Sequence, residues 1–143
     1  MIKKFDCIML VDDDLVNSFF SEIIIKETKS SIIVEVKNTV DKAFEYMTQS
    51  DYMTRRFTQT PFPDIIFLDI DMPGKNGWDF LERYQKFKHF LVKKPIIVMN
   101  SVSSSPADKL KAMSFEDVAE YYPKPLTPEI INFVLNKYCP ANA

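Results

Sequence analysis

The chain has 143 residues, with 18 basic and 20 acidic side chains and a formal net charge of −2. That near balance argues against a dedicated nucleic-acid binder, which carries a basic excess or stripe, and no apolar run approaches the ~20 residues that cross a bilayer. With 46% apolar and 13% aromatic residues, a chain of this length fills the core of one domain.

Five strand segments alternate with five helical ones. The first strand is expected over Phe5–Val11 and contains Cys7, which reads as a small buried core residue. Cys7 and Cys139 lie far apart and make no metal-ligand pattern. Met1-Ile2-Lys3-Lys4 leads into the strand without a signal-peptide pattern, so a reducing cytoplasm is the expected setting. A helix follows over about Leu15–Thr28, with Val16, Phe19, Phe20, Ile23 and Ile24 at helical spacing. The second strand is Ile32–Val36. The second helix spans about Val40–Met53, with Val40, Ala43, Phe44 and Met47 on one face. The stretch Thr48–Phe62, with Arg55-Arg56 and the nearby Pro61 and Pro63, reads as a helix end plus a polar loop.

The third strand is Asp64–Asp69. The third helix spans about Trp78–Phe90, with Phe80, Tyr84 and Phe87 inward, and His89 near its end reads as a solvated surface group. The fourth strand is Pro95–Met99. Ser105-Pro106 opens the fourth helix: serine caps, proline suits the first turn, and Asp108 suits the positive end. Ala107, Leu110 and Met113 are expected to face inward. The fifth strand is Ala119–Tyr122. Thr127-Pro128-Glu129 opens the last helix, which buries Ile131, Val134, Leu135 and Tyr138. Strict alternation favours a parallel sheet covered on both faces.

Two acidic groups and one lysine stand at strand ends. Val11-Asp12-Asp13-Asp14 follows Ile8-Met9-Leu10, and Leu68-Asp69-Ile70-Asp71-Met72-Pro73 follows Ile65-Ile66-Phe67. Lys124 follows the fifth strand in Tyr121-Tyr122-Pro123-Lys124-Pro125. In an open α/β sheet, ligands bind at the carboxyl ends of the strands. Carboxylates at two such ends meet in one cleft, repel each other, and call for a cation.

In combination, Val-Asp-Asp, Leu-Asp-x-x-Met-Pro-x-x-x-Gly and Lys-Pro resemble the receiver domain of two-component response regulators, in particular the chemotaxis-type single-domain kind. The resemblance runs from about Lys4 to Lys137. It implies an α/β, flavodoxin-like, doubly wound fold: a five-stranded parallel sheet of order 2-1-3-4-5 with five helices. It also implies one receiver domain over 1–143, with a core of about 4–138 and no output domain. By the same resemblance Asp69 is the phosphoacceptor and a ligand to Mg2+. Asp13 is a direct ligand to that ion, Asp12 an outer or water-mediated one, and the Asp71 backbone carbonyl another; magnesium takes oxygen ligands octahedrally and keeps several waters. Lys124 pairs with Asp69 and then with the phosphoryl oxygens, and the Lys124–Pro125 bond is cis in many receivers. Gly77 matches a turn glycine that admits an unusual backbone angle. Tyr121 matches an aromatic switch position. Trp78, beside Gly77, either covers the cleft mouth or begins the packing of the third helix.

One position departs from the pattern. Receivers usually carry threonine or serine at the end of the fourth strand, where this chain has Asn100 with Ser101 next. Asn100 can also donate a hydrogen bond, though from a longer planar amide; a shift of one residue would put Ser101 there instead. The expected function is a phosphorelay receiver with no enzymatic activity beyond self-phosphorylation and slow autodephosphorylation. The phosphoryl group comes from a sensor histidine kinase or a histidine phosphotransfer protein. A downstream target protein then docks near Lys109, Tyr121 and Asn132. Asn100 leaves open an alternative, a receiver-fold scaffold that binds partners independently of phosphorylation. A dehalogenase-like phosphatase also uses an aspartate nucleophile, with a second aspartate two residues on as Asp71 is to Asp69. Its nucleophile ends the first strand, however, so the chain order here is reversed.

Overall fold

A computed structural model describes residues 4–51, 60–102 and 105–139. The elements in chain order are β1 (Phe5–Val11), α1 (Leu15–Glu27), β2 (Ser31–Lys37), α2 (Val40–Ser50), β3 (Ile65–Leu68), α3 (Gly77–Phe87), β4 (Ile96–Ser101), α4 (Pro106–Met113), β5 (Val118–Pro123) and α5 (Pro128–Tyr138), with a 3-10 turn at Lys88–Phe90 after α3. The five strands form one sheet in the order β2-β1-β3-β4-β5, and every adjacent pair is parallel. This is the expected α/β, doubly wound arrangement. Among the described residues, no helix is long and apolar enough to cross a membrane.

Alternation along the strands divides the core in two. Met9 and Val11 of β1 pack with Phe44 and Met47 of α2, Phe80 and Tyr84 of α3, and Ala112 of α4. Ile8 and Leu10 face the other way, toward Ile25 of α1 and Ile131, Val134 and Leu135 of α5. Cys7 is fully buried, and His89 is exposed. Helix starts follow their caps: Thr39 accepts from Lys42 N, Asn76 and Asp79 form a reciprocal capping box, and Thr127 accepts from Ile130 N.

Two helices bury a different face from the one their sequence suggests. In α1 the buried residues are Ser18, Ser21 and Ile25, while Val16, Phe19 and Phe20 are 65%, 62% and 56% exposed. The Asp14 side chain caps the helix through Val16 N and Asn17 N, and the Asn17 amide reaches back to Asp12. These contacts fix the helix rotation from its first turn and turn two serines inward. In α4, Leu110 and Met113 are exposed and Ala107 is exposed too; only Ala112 is buried. Ser105 holds the cap position without a side-chain bond to the helix amides.

Smaller differences concern ends and turns. α2 stops at Ser50, and Met53 and Arg55-Arg56 lie outside the described residues. α3 tightens into the 3-10 turn at Lys88 instead of continuing to Phe90. Trp78 stacks on Phe115 at 6.3 Å between ring centroids, with the Lys111 ammonium 4.5 Å from its ring. Trp78 therefore joins α3 to α4, the packing role.

Candidate functional site

β1 and β3 lie side by side in register, Leu10 against Phe67 and Val11 against Leu68. Their next residues, Asp12 and Asp69, therefore emerge together at the carboxyl edge of the sheet. Asp69 N also donates to Val11 O at 2.9 Å, tying the two strand ends. Asp12, Asp13 and Asp69 each place a carboxylate oxygen within 4.8 Å of the others. Asp12 and Asp69 are buried, and Asp13 is half-buried at the rim.

Lys124 supplies the cationic partner. Its Nζ lies 2.8 Å from Asp12 Oδ2 and 3.3 Å from Asp69 Oδ2. The lysine bridges both carboxylates and sits nearer Asp12, whereas the resemblance implies a first pairing with Asp69. Lys124 N donates to Ser101 O at 2.9 Å, which fixes where the side chain starts. The Lys124–Pro125 bond is cis. Asp12 is further held by the Asn17 amide, which donates to Oδ2 at 2.7 Å, and by Asp14 N, which donates to Oδ1 at 2.9 Å. Asp69 Oδ1 accepts from Asp71 N at 3.3 Å.

The electrostatics follow from burial. Desolvation, with repulsion from Asp12, pushes the Asp69 carboxyl up to about 6, even though Lys124 and the Asp71 amide pull it down. Burial of Lys124 disfavours its charge, but Asp12 and Asp69 outweigh that and raise it above the ordinary lysine value. A site with three carboxylates and one ammonium retains an excess of negative charge. Oxygen donors converging at this distance fit a hard divalent cation such as Mg2+.

Gly77 is required for a reason other than backbone angle. A Cβ there would lie 2.5 Å from the Asp69 carbonyl oxygen and 2.9 Å from Ile70 Cα. The positive-φ glycine is Gly74, at +74°. Gly77 thus lets α3 begin against the backbone of Asp69, an approach reinforced by Gly77 N donating to Ile70 O at 3.0 Å.

β3 and β4 pair Leu68 with Met99, which brings Asn100 level with Asp69 at the next step. Asn100 borders the same small cavity as Asp12 and Asp69. This geometry selects Asn100 over Ser101 for the strand-end position. Its amide donates to Tyr122 O and Pro123 O, both at 3.3 Å, so it is tied to the end of β5. Tyr121 is half-buried and packs against the core cluster shared with α4. Asp71 is exposed.

Sequence reasoning missed Asn17 and Ser18. The signal was present: Asn17 stands five residues after Asp12, and Ser18 and Ser21 interrupt an otherwise apolar helix.

The response regulator receiver domain family matches the chain over residues 8–135. Sensory transduction protein LytT of Bacillus subtilis is 28% identical over 136 residues, which cover 94% of this chain and 48% of that protein. The chain thus spans about half the length of the LytT relatives it matches. A two-component response regulator from Cytophaga hutchinsonii superposes with a TM-score of 0.81 at 31% identity, covering 94% of this chain and 97% of that one. The Mn(2+)-bound form of response regulator Rcp1 shares the fold with a TM-score of 0.68 at 19% identity, covering 92% and 90% of the two chains. Matched across most of its length and folded as its relatives are, this chain belongs to the response regulator receiver domain family of two-component systems.

Proposed function

We propose that this receiver accepts a phosphoryl group on Asp69, with Mg2+ bound among Asp12, Asp13, Asp69 and the Asp71 carbonyl. The observation that carries this reading is the buried Asp69 carboxylate, set beside two further carboxylates and within 3.3 Å of the Lys124 ammonium. An Asp69 oxygen forms the new O–P bond as the donor's N–P bond breaks, and the electron pair leaves on the donor imidazole. Lys124 sits where it meets charge on the transferred group. Asp12 and Asn17 hold Lys124 and the pocket wall in place. The bound cation supplies charge neutralisation, which lets an anionic carboxylate meet an anionic donor. That Rcp1, which shares this fold, has a Mn(2+)-bound form agrees with divalent-ion binding by this chain.

The donor is a sensor histidine kinase or a histidine phosphotransfer protein, and the output is contact with a target protein. The chain itself performs only self-phosphorylation and slow autodephosphorylation, in the cytoplasm. The exposed Leu110, Met113 and Phe133 support target docking on α4, β5 and α5, near Lys109, Tyr121 and Asn132. NMR shift mapping with a partner tests that surface; shifts confined to α2 would exclude it. A second reading, phosphorylation-independent scaffolding, is favoured by the tie between Asn100 and the β5 carbonyls.

Incubation with acetyl phosphate and magnesium, followed by intact mass, tests the main reading. The protein gains one phosphoryl mass and Asp69→Asn gains none. No gain in the parent protein favours the scaffold.

A further inference from the structure

α1 turns two serines, not two hydrophobes, onto the sheet. Ser18 and Ser21 are both buried. Ser18 Oγ has no hydrogen-bond partner among the described residues and no exposure to solvent. Buried polar groups are nearly always hydrogen-bonded, so this hydroxyl needs a partner. It borders a cavity of about 10 Å3 whose polar lining is Asp12, Asn17, Ser18, Ser21, Asp69 and Asn100.

That volume and lining specify the occupant. A cavity of roughly 10–15 Å3 admits one water centre, and polar walls retain it where apolar walls stay dry. Larger ligands do not fit, and the neighbouring ammonium and amide groups already have carboxylate or carbonyl partners. We infer that the cavity holds one internal water anchored by Ser18 Oγ. The water joins α1 to Asp12, Asp69 and Asn100, which share the lining of the cavity. Ser18 is thereby a positioning residue for the acceptor group: it touches neither metal nor phosphoryl group and acts through the water. This consequence for phosphorylation rests on the function proposed above, while the water site itself does not.

The test is a high-resolution crystal structure of the parent and of Ser18→Ala, with acetyl phosphate labelling rates for both and for Ser18→Thr. The parent shows one water within hydrogen-bond distance of Ser18 Oγ and of at least one of Asp12, Asp69 or Asn100, and Ser18→Ala loses it. Labelling of Ser18→Ala slows about fivefold, the equivalent of one neutral hydrogen bond, and Ser18→Thr, which keeps the hydroxyl, stays near the parent rate. An empty cavity in the parent, or a water that persists in Ser18→Ala, overturns the site. Loss of the water with unchanged labelling overturns the positioning role. If the parent itself does not label, the proposed function fails, and the crystallographic result still decides the water. If Ser18→Ala does not fold, the parent structure decides the water and Ser18→Cys, close in size with only a weak donor, takes its place in the labelling comparison: a slowed rate supports the positioning role and a parent rate overturns it.

Discussion

Replacing Lys124 by methionine keeps the side chain's length and removes its charge. In the folded protein that charge lies 2.8 Å from Asp12 and 3.3 Å from Asp69. At an effective dielectric of about 20, a pair of unit charges ~3 Å apart interacts by roughly 5 kcal/mol. The cost of burying the ammonium cancels part of this, and measured losses on breaking a buried pair are about 3–5 kcal/mol. Asp69 limits the damage because it can take up a proton. Its carboxyl titrates at about 6 with Lys124 present, and higher without it. A carboxyl raised above its unfolded value destabilises the fold when charged, and that penalty fades as pH falls through the folded pKa toward the unfolded one. The opposite contribution, from Lys124's raised ammonium, is fully present below the ordinary lysine value and does not vary across this range. Lys124→Met is therefore expected to lose about 3 kcal/mol near pH 8 and about 1 kcal/mol near pH 5, measured by urea denaturation in chelator. Magnesium near pH 8 narrows the gap, because a site that has lost its ammonium binds the cation more tightly than the parent's does and gains more stability by linkage. An equal deficit at both pH values would refute the reasoning, as would a gap that magnesium leaves unchanged.

Asp13→Ala removes one proposed cation ligand and one repelling charge, so the magnesium-dependent rise in melting temperature shrinks while the chelated protein holds or gains stability. An identical magnesium response in both proteins places the ion elsewhere. Gly77→Ala puts a methyl group 2.5 Å from the Asp69 carbonyl; the overpacking costs about 1–3 kcal/mol despite alanine's better helix propensity. An unchanged urea midpoint contradicts that close approach. For Asn100→Thr, beryllofluoride shifts the NMR signals of Tyr121 more than it does in the parent. In the parent, the Asn100 amide must first give up Tyr122 O and Pro123 O, and a ligand moves an equilibrium only by its differential affinity for the two states. A parent response as large as the variant's shows that the amide replaces the hydroxyl fully.

The strand ends were legible because each local signal agreed with the next. Apolar runs closing on Asp12, Asp69 and Lys124 predicted both the sheet and the gathering of charge at its edge. The rotation of α1 was not legible: Val16, Phe19 and Phe20 make a convincing apolar stripe, yet polar ties from Asp14 and Asn17 to the helix start and to Asp12 override it. Helical periodicity reports that a stripe exists and does not say which stripe the tertiary contacts select. α4 failed for a related reason: with eight residues and one buried side chain, Ala112, its orientation depends on Trp78 and Phe115 outside the helix. Gly77 looks like a turn residue in the sequence, which shows a missing side chain but not the carbonyl that would meet one. The balance of Lys124 between two carboxylates depends on a backbone bond from Lys124 N to Ser101 O, formed across strands far apart in sequence.

The most direct test of the central claim is to locate the phosphoryl group. After labelling with acetyl phosphate and magnesium, borohydride reduction converts an aspartyl phosphate to homoserine, which tandem mass spectrometry places in the sequence. The account predicts homoserine at Asp69, between Leu68 and Ile70, and nowhere else. Homoserine at Asp12, Asp13 or Asp71 instead, or none in a parent protein with magnesium bound, would contradict it.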